Sequence, residues 1–546
     1  MRTADLIVKC LEAHGIERVY CVPGESYLAL LDALYDSSIE IIICRHESGA
    51  GFMAVAEARL TGKPAVFLVS RGPGATNGAI AIHVAEQDAT PVLLLIGQVS
   101  REERSRGAFQ EVDYTQFFGG MAKGIYEIHD GNKTGEIVTR SLRLASEGKP
   151  GPVIISLPED VLSDEAGETV PAPFPLAVAH HGASDIAAIQ AMIEEASRPI
   201  VVAGAMLRGA KGAAALHRFA EALRVPVAVT WKNQDIFDNG SPLYAGHLGF
   251  GNPPKHRQVL ANADLIIAVG TRLGDVASLN YTFPTVPEPK QKLIHIYPDG
   301  EPIGKIFRTD LGLVADPVAV LADLALHPRV VSSAREAWST SINEFVREFQ
   351  RFLSPEPGDG VDFGKVVVSI AAQAPSDAVV TTDAGNMSTW VHRHWIMTPR
   401  NLLLGAIAGA MGFGVPTAVA AAIIDRARMA ITFVGDGGML MTGQELATAV
   451  QYGAKPKIVI SDNGIYGTIR THQEKHYPNR VSGTDLVNPD FTLWAKSFGV
   501  FTVTIALGDD IDAKVKEFLD HDGAAVLHVK SSKEALSAFT TMSTLN

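Results

Sequence analysis

The sequence predicts an α/β protein of three doubly wound parallel-sheet domains. Short apolar runs alternate with helical patterns along the whole chain, which is how helices come to layer on parallel sheets. At 546 residues the chain is too long for one core, and about 150 to 200 residues per domain divides it in three. Two stretches interrupt the alternation: residues 165–184, rich in Pro, Ala and Gly, and the turn-rich Ser354-Pro355-Glu356-Pro357-Gly358-Asp359-Gly360. Domains are therefore expected at 1–164, 185–327 and 361–546.

The chain opens with Leu6, Ile7, Cys10 and Leu11 at helical spacing, a first helix rather than a signal peptide. The run Glu17–Cys21 reads as a strand leading into Val22-Pro23-Gly24. Ile39–Cys44 reads as another, followed by Arg45-His46-Glu47 and a Gly-rich helix from Gly49. Ser70-Arg71-Gly72-Pro73-Gly74-Ala75-Thr76-Asn77 comes next, and the block closes on the strand Val153–Pro158. The middle block carries strands at Pro199–Gly204, Val225–Val229 and Leu265–Gly270 and ends near Leu326, before a helix at Ala334–Phe352. The third block starts near Phe363. Its uncharged run Leu402–Ile424 approaches the roughly 20 apolar residues of a membrane span, but four glycines and Pro416 make it a loop and buried helix. Strands follow at Ala430–Val434, Lys457–Ile460 and Ala525–Val529. The outer blocks are expected to share a fold, although no sequence repeat proves it.

With 47% hydrophobic and 20% charged residues, the composition is that of a soluble globular protein. The net charge of −13 and the lack of basic tracts or zinc-like spacing exclude nucleic acid as a partner, and no membrane association is expected. Cys10, Cys21 and Cys44 fit buried thiols in a reducing compartment, hence a cytoplasmic location.

The chemistry concentrates between Gly435 and Gly467. Asp436, in Gly435-Asp436-Gly437-Gly438, ends one apolar strand; Asn463, in Ser461-Asp462-Asn463-Gly464, ends the next. A helix joins them, so both strand ends return to the same edge of a parallel sheet and the two side chains become neighbours. The glycines let the backbone approach a bulky group that a helix N-terminus faces. Hard oxygen ligands beside a phosphate-ready helix end suit Mg²⁺ holding a diphosphate. A plain βαβ unit with a tight turn is the alternative, and the paired Asn463 argues against it.

Gly-Asp-Gly, then 25 residues (438–462) and Asn463, resembles the thiamine-diphosphate signature, with Asp462 where that signature has Asn. Together with Val22-Pro23-Gly24, Arg45-His46-Glu47 and Ser70–Asn77, nearly the whole chain resembles the acetolactate synthase-like enzymes. The resemblance implies a pyrimidine-binding, a central and a diphosphate-binding domain. It implies that Glu47 contacts the aminopyrimidine N1′ and drives the proton exchange that deprotonates the thiazolium C2; a buried carboxyl with a raised pKa suits that role. Pro23, Gly24 and Asn77 would line the pyrimidine side. Gly385, Asn386, Gly409, Gly435, Gly437, Gly438, Tyr466 and Gly467 would contact the cofactor, with Met411 wedged between its rings. Mg²⁺ would take Asp436, Asn463 and the Ile465 carbonyl. Phe109-Gln110-Glu111 would bring Gln110 to the thiazolium and substrate. Arg71, where the synthases have Ser, would bind a 2-oxo acid's carboxylate or pair with Glu86. Lys123 stands where the synthases often have Lys, though a solvated helix-face lysine reads as well. The resemblance also implies a homodimer or dimer of dimers with the active site across the subunit interface.

Other departures concern substrate. Asn386-Met387 replaces Gln-His, His472 replaces a Trp, and little chain follows the last strand to make a lid. Arg272-Leu273-Gly274-Asp275-Val276 keeps only part of the stretch that binds FAD in the synthases, so FAD is not favoured. Two outcomes fit: decarboxylation of a 2-oxo acid followed by carboligation, or non-oxidative decarboxylation of the benzoylformate type releasing an aldehyde. A thiamine-diphosphate binder without catalysis conflicts with the intact Glu47.

Overall fold

The computed structural model describes residues 1–328 and 332–545. Among these described residues, eighteen strands form three six-stranded sheets, every ladder parallel. The first holds β1 (Arg18–Cys21), β2 (Glu40–Ile43), β3 (Ala65–Val69), β4 (Val92–Gln98), β5 (Gly124–Glu127) and β6 (Pro152–Pro158). The second holds β7 (Pro199–Ala203), β8 (Val227–Thr230), β9 (Tyr244–Leu248), β10 (Leu265–Val269), β11 (Lys292–Tyr297) and β12 (Leu311–Val314). The third holds β13 (Val379–Thr382), β14 (Leu402–Gly405), β15 (Ala430–Gly435), β16 (Lys457–Asp462), β17 (Phe501–Ile505) and β18 (Ala525–Lys530). Helices cover both faces, which is why central strands such as Val92–Gln98 are apolar along their length and buried at every residue.

The outer sheets have one topology. The first runs β2-β1-β3-β4-β6-β5 and the third β14-β13-β15-β16-β18-β17, the same order when each is numbered from its own first strand. The central sheet runs β9-β8-β7-β10-β11-β12, the 3-2-1-4-5-6 order of dinucleotide-binding domains.

First and third domains share one core. Helix Glu47–Thr61, small and apolar, packs on the buried helix Gly414–Ile424, and Phe52 meets Phe413 edge to face at 5.3 Å. Buried Glu445 of the third domain accepts from the backbone N–H groups of Arg45 (3.0 Å) and His46 (3.1 Å) at the start of the first helix. Arg59 reaches Asp88 and the carbonyls of Leu403 and Gly405, tying the first domain to β14.

One local expectation changes. Leu402–Gly405 is a strand pairing with β13, not a loop, although Gly414–Ile424 is the expected buried helix. The helix after β15 begins at Asp436 itself, running Asp436–Thr442 and resuming at Leu446–Gln451. Among the described residues, no helix is long and apolar enough to cross a membrane.

Candidate active site

The third sheet's C-terminal edge opens into a cavity of ≈ 220 Å³. Parallel strands bring their ends together there: Gly435 pairs with Ser461, so the turns carrying Asp436 and Asn463 leave neighbouring strand ends and both residues line the cavity. Gly385, Asn386, Gly409, Met411, Gly435, Asp436, Gly437 and Gly438 all line the cavity, as do Asn463, Ile465, Tyr466 and Gly467. Three helices start at this rim, Ser388–His394, Asp436–Thr442 and Gly467–His476, and bring the positive ends of their dipoles to it. Gly437 is required by close approach: a Cβ there would lie 2.5 Å from the Tyr466 ring.

Asp436 is 4% exposed. Burial pushes its carboxyl above the ordinary value, against hydrogen bonds from Asn488 Nδ2 and the Gly437 and Gly464 N–H groups, each at 2.8 Å. Asn463 Oδ1 accepts from Ile465 N (3.2 Å), and the Ile465 carbonyl from Gly467 N (2.9 Å). The loop carrying Met411 is latched from below. Buried Asp383, at the end of β13, accepts from Gly412 N (2.9 Å) and Ala384 N (2.6 Å), and its pKa is raised to about 6, chiefly by burial. Neither Asp383 nor Asn488 was singled out in the sequence. Nothing in residue type marks a buried carboxylate as a loop latch.

Departures have visible roles. Asn386 is held by Thr468 Oγ1 (3.0 Å) and holds Thr471 Oγ1 (3.2 Å), fixing the helix Gly467–His476 to the rim. His472 sits on that helix, stacked on His476. Ser531, Ser532, Ala535 and Leu536 wall one side of the cavity, so the segment after β18 is part of the site. Phe539 anchors it, stacked on Phe349 at 5.8 Å.

The remaining predicted residues lie at the C-terminal edge of the first sheet, outside this cavity's lining. Pro23 and Gly24 follow β1, Glu47 opens the helix after β2, Arg71 follows β3 and Gln110 lies in the loop after β4. Glu47 is half-buried rather than buried, and Asn77 Nδ2 donates to its Oε2 at 3.0 Å. Arg71 does not pair with Glu86, which binds Lys149 instead (2.7 Å). Its guanidinium meets Glu159 (2.8 Å), Glu25 (3.7 Å) and, at 3.4 Å, Gln110 Oε1. Lys123 leads into β5 at the opposite end of the sheet, bound to the Glu147 carbonyl (2.5 Å) and remote from this edge. All three cysteines are buried and unpaired by disulfides.

Residues 1–117, 186–324 and 383–529 match, in turn, the N-terminal TPP binding, central and C-terminal TPP binding domains of the thiamine pyrophosphate enzymes. The acetolactate synthase large subunit of Parasynechococcus marenigrum (strain WH8102) is 32% identical over 96% of this chain and 85% of its own length. This chain belongs to the thiamine diphosphate-dependent, acetolactate synthase-like enzymes. The acetolactate synthase isozyme 1 large subunit of Escherichia coli (strain K12) is 33% identical over 97% of this chain and 94% of its own, and the catabolic acetolactate synthase of Raoultella terrigena 31% over 96% and 94%.

For an acetolactate synthase-like enzyme the cavity's composition suits its cofactor. No Lys or Arg lines it among the described residues, and Asp436 adds a negative charge. A diphosphate there needs a divalent cation and the helix N–H ends to offset it. No group of three or more His, Cys, Asp or Glu among the described residues could hold a metal. Amide, carbonyl and phosphate oxygens around Asp436 would therefore complete the shell, a hard-oxygen set of the Mg²⁺ type. A separate cleft, lined by Trp231, Asn233 and Arg272, lies at the C-terminal edge of the central sheet.

Proposed function

We propose that this enzyme releases the carboxyl of a 2-oxo acid as CO₂ and joins the remaining acyl fragment to a second carbonyl compound, using thiamine diphosphate and Mg²⁺. The observation that carries this is Asp436 with Asn463 at one glycine-lined cavity, in a chain related over nearly its whole length to acetolactate synthases. Thiamine diphosphate, once bound, supplies the carbanion-stabilising chemistry. Asp436, Asn463 and the Ile465 carbonyl would hold Mg²⁺ against its diphosphate. Met411 would support the cofactor from the loop latched by Asp383. Glu47, aligned by Asn77, would serve as the proton-exchanging group on the pyrimidine side, and Gln110, held by Arg71, would face the substrate.

The cavity is lined by third-domain residues alone, while Glu47 and Gln110 sit on another edge of the chain. We place the complete site between two chains, the first domain of one closing the cavity of the other, in a homodimer or dimer of dimers. Exposed apolar side chains support such a contact on both surfaces: Phe109 and Ile80 near the first edge, Met441 and Ile469 near the cavity. Buried free thiols support a reducing, cytoplasmic setting.

The test is a panel of 2-oxo acids, including pyruvate and an aromatic one, with products identified. A 2-hydroxy ketone or acetohydroxy acid is expected. Aldehyde alone from every active substrate would overturn the carboligase reading.

A further inference from the structure

We propose that Asn488 is a positioning residue for the metal site, its side-chain amide bridging Asp436 and Asp462 so that Asp436 is oriented before the cation arrives. The proposal rests on reading Asp436 as the metal's charged ligand.

Asn488 Nδ2 donates one hydrogen to Asp436 Oδ2 and the other to Asp462 Oδ1, both at 2.8 Å. Asp436 Oδ2 also accepts from Gly464 N, and Oδ1 from Gly437 N, each at 2.8 Å. A carboxylate offers about four lone-pair sites. Three are taken, which fixes the plane of the group and leaves one site on Oδ1 for a cation. An amide suits the bridging place because it supplies two N–H donors between two carboxylates without adding charge to a cation site.

The far end of the bridge is anchored. His528 Nε2 lies 2.7 Å and Lys530 Nζ 3.1 Å from Asp462 Oδ2, and His528 is wedged edge-on against Phe491 at 5.4 Å. The approach of Asn488 is set by backbone pairing: Tyr466 N donates to the Thr484 carbonyl and Leu486 N to the Gly464 carbonyl, both at 2.8 Å. The Asp at 462, where the thiamine-diphosphate signature has Asn, is thus held by His528 and Lys530 and serves as a fixed post for the amide. The geometry separates two jobs: Asp436 binds, and Asp462 with Asn488 aims it.

The experiment titrates Mg²⁺ into the full-length protein at saturating thiamine diphosphate by calorimetry, and records the melting temperature with and without both. Asn488→Leu keeps the volume and removes the donors; Asn488→Ala is its companion. Both are expected to weaken Mg²⁺ by about 10–100-fold, the usual cost of losing an outer partner of a ligand, with the cofactor-free melting temperature close to parental. If both bind Mg²⁺ as the parent does while Asp436→Ala loses binding, the positioning role is wrong and the metal assignment stands. If Asp436→Ala also binds as the parent, the metal assignment itself fails. Should the Asn488 variants not fold, Asp462→Ala reads the same coupling from the other end: weakened Mg²⁺ supports the bridge, and parental affinity overturns it.

Discussion

At the scale of single residues, the site divides into side chains that carry charge and side chains that aim it. Asp436 is the one charged group predicted to touch the metal, and with no Lys or Arg lining the cavity among the described residues, a diphosphate there depends on the cation and the helix N-terminal ends for its counter-charge. Cofactor and metal should therefore stabilise the fold only together. Thiamine diphosphate and Mg²⁺ at a hundredfold excess over their dissociation constants should add about 2.7 kcal/mol by mass action. Asp436→Ala should abolish that gain, and a variant that melts and responds like the parent would remove Asp436 from the site. Arg71 is a different case, because its guanidinium already has Glu159 and Glu25 as partners. Removing it leaves two carboxylates facing an incoming anionic substrate and frees Gln110. Arg71→Ser should raise KM by roughly 10–100-fold, the range of one charge-assisted hydrogen bond, and lower kcat far less, the signature of lost uniform binding. Unchanged KM for every active 2-oxo acid would leave Arg71 a clamp on Glu159.

At the scale of elements, the spacing of strand-end motifs was the readable part, because parallel pairing converts sequence separation into adjacency. Gly435 beside Ser461 follows from two apolar runs and a helix between them, and the arrangement of Glu47, Arg71 and Gln110 along one sheet edge follows likewise. What could not be read depends on contacts distant in sequence. Leu402–Gly405 looked like loop because four residues at a sheet edge carry little periodicity, and its strand character comes from β13 and from Arg59 of another domain. The half-burial of Glu47 and the Arg71–Glu159 pair, 88 residues apart, are equally nonlocal. The helix pair behind Glu47 yields a test. Gly51 lies where helix Glu47–Thr61 crosses helix Pro73–Gln87, and a Cβ there would sit 2.3 Å from the Ala81 Cβ. Alanine gains about 1 kcal/mol in helix propensity, but the clash is with an atom fixed to backbone, and overpacking costs roughly 1–3 kcal/mol. Overpacking wins. Gly51→Ala should lower the melting temperature and, by spreading the helices that carry Glu47 and Asn77, reduce kcat. A variant as stable and active as the parent would show that the crossing has slack.

At the scale of the whole molecule, the two outer sheets share one strand order and one function at their C-terminal edges, yet within a chain those edges do not meet at the cavity. On the proposed two-chain reading each chain holds two half-sites, and a two-fold pair of chains would complete both. Glu47 and Asp436 provide the test, since Glu47→Gln and Asp436→Ala chains are each expected to be inactive as homodimers. In a mixed dimer, one site carries both lesions and the other carries neither. After subunit exchange in an equal mixture, half the dimers are mixed and each has one intact site of two, so activity should return toward about a quarter of parental. The measurement is carboligation rate against time of mixing, with exchange followed independently by mass-tagged chains. Verified exchange without recovered activity would mean that Glu47 and Asp436 serve the same site from one chain, and a fully active monomer at working concentration would end the two-chain reading altogether.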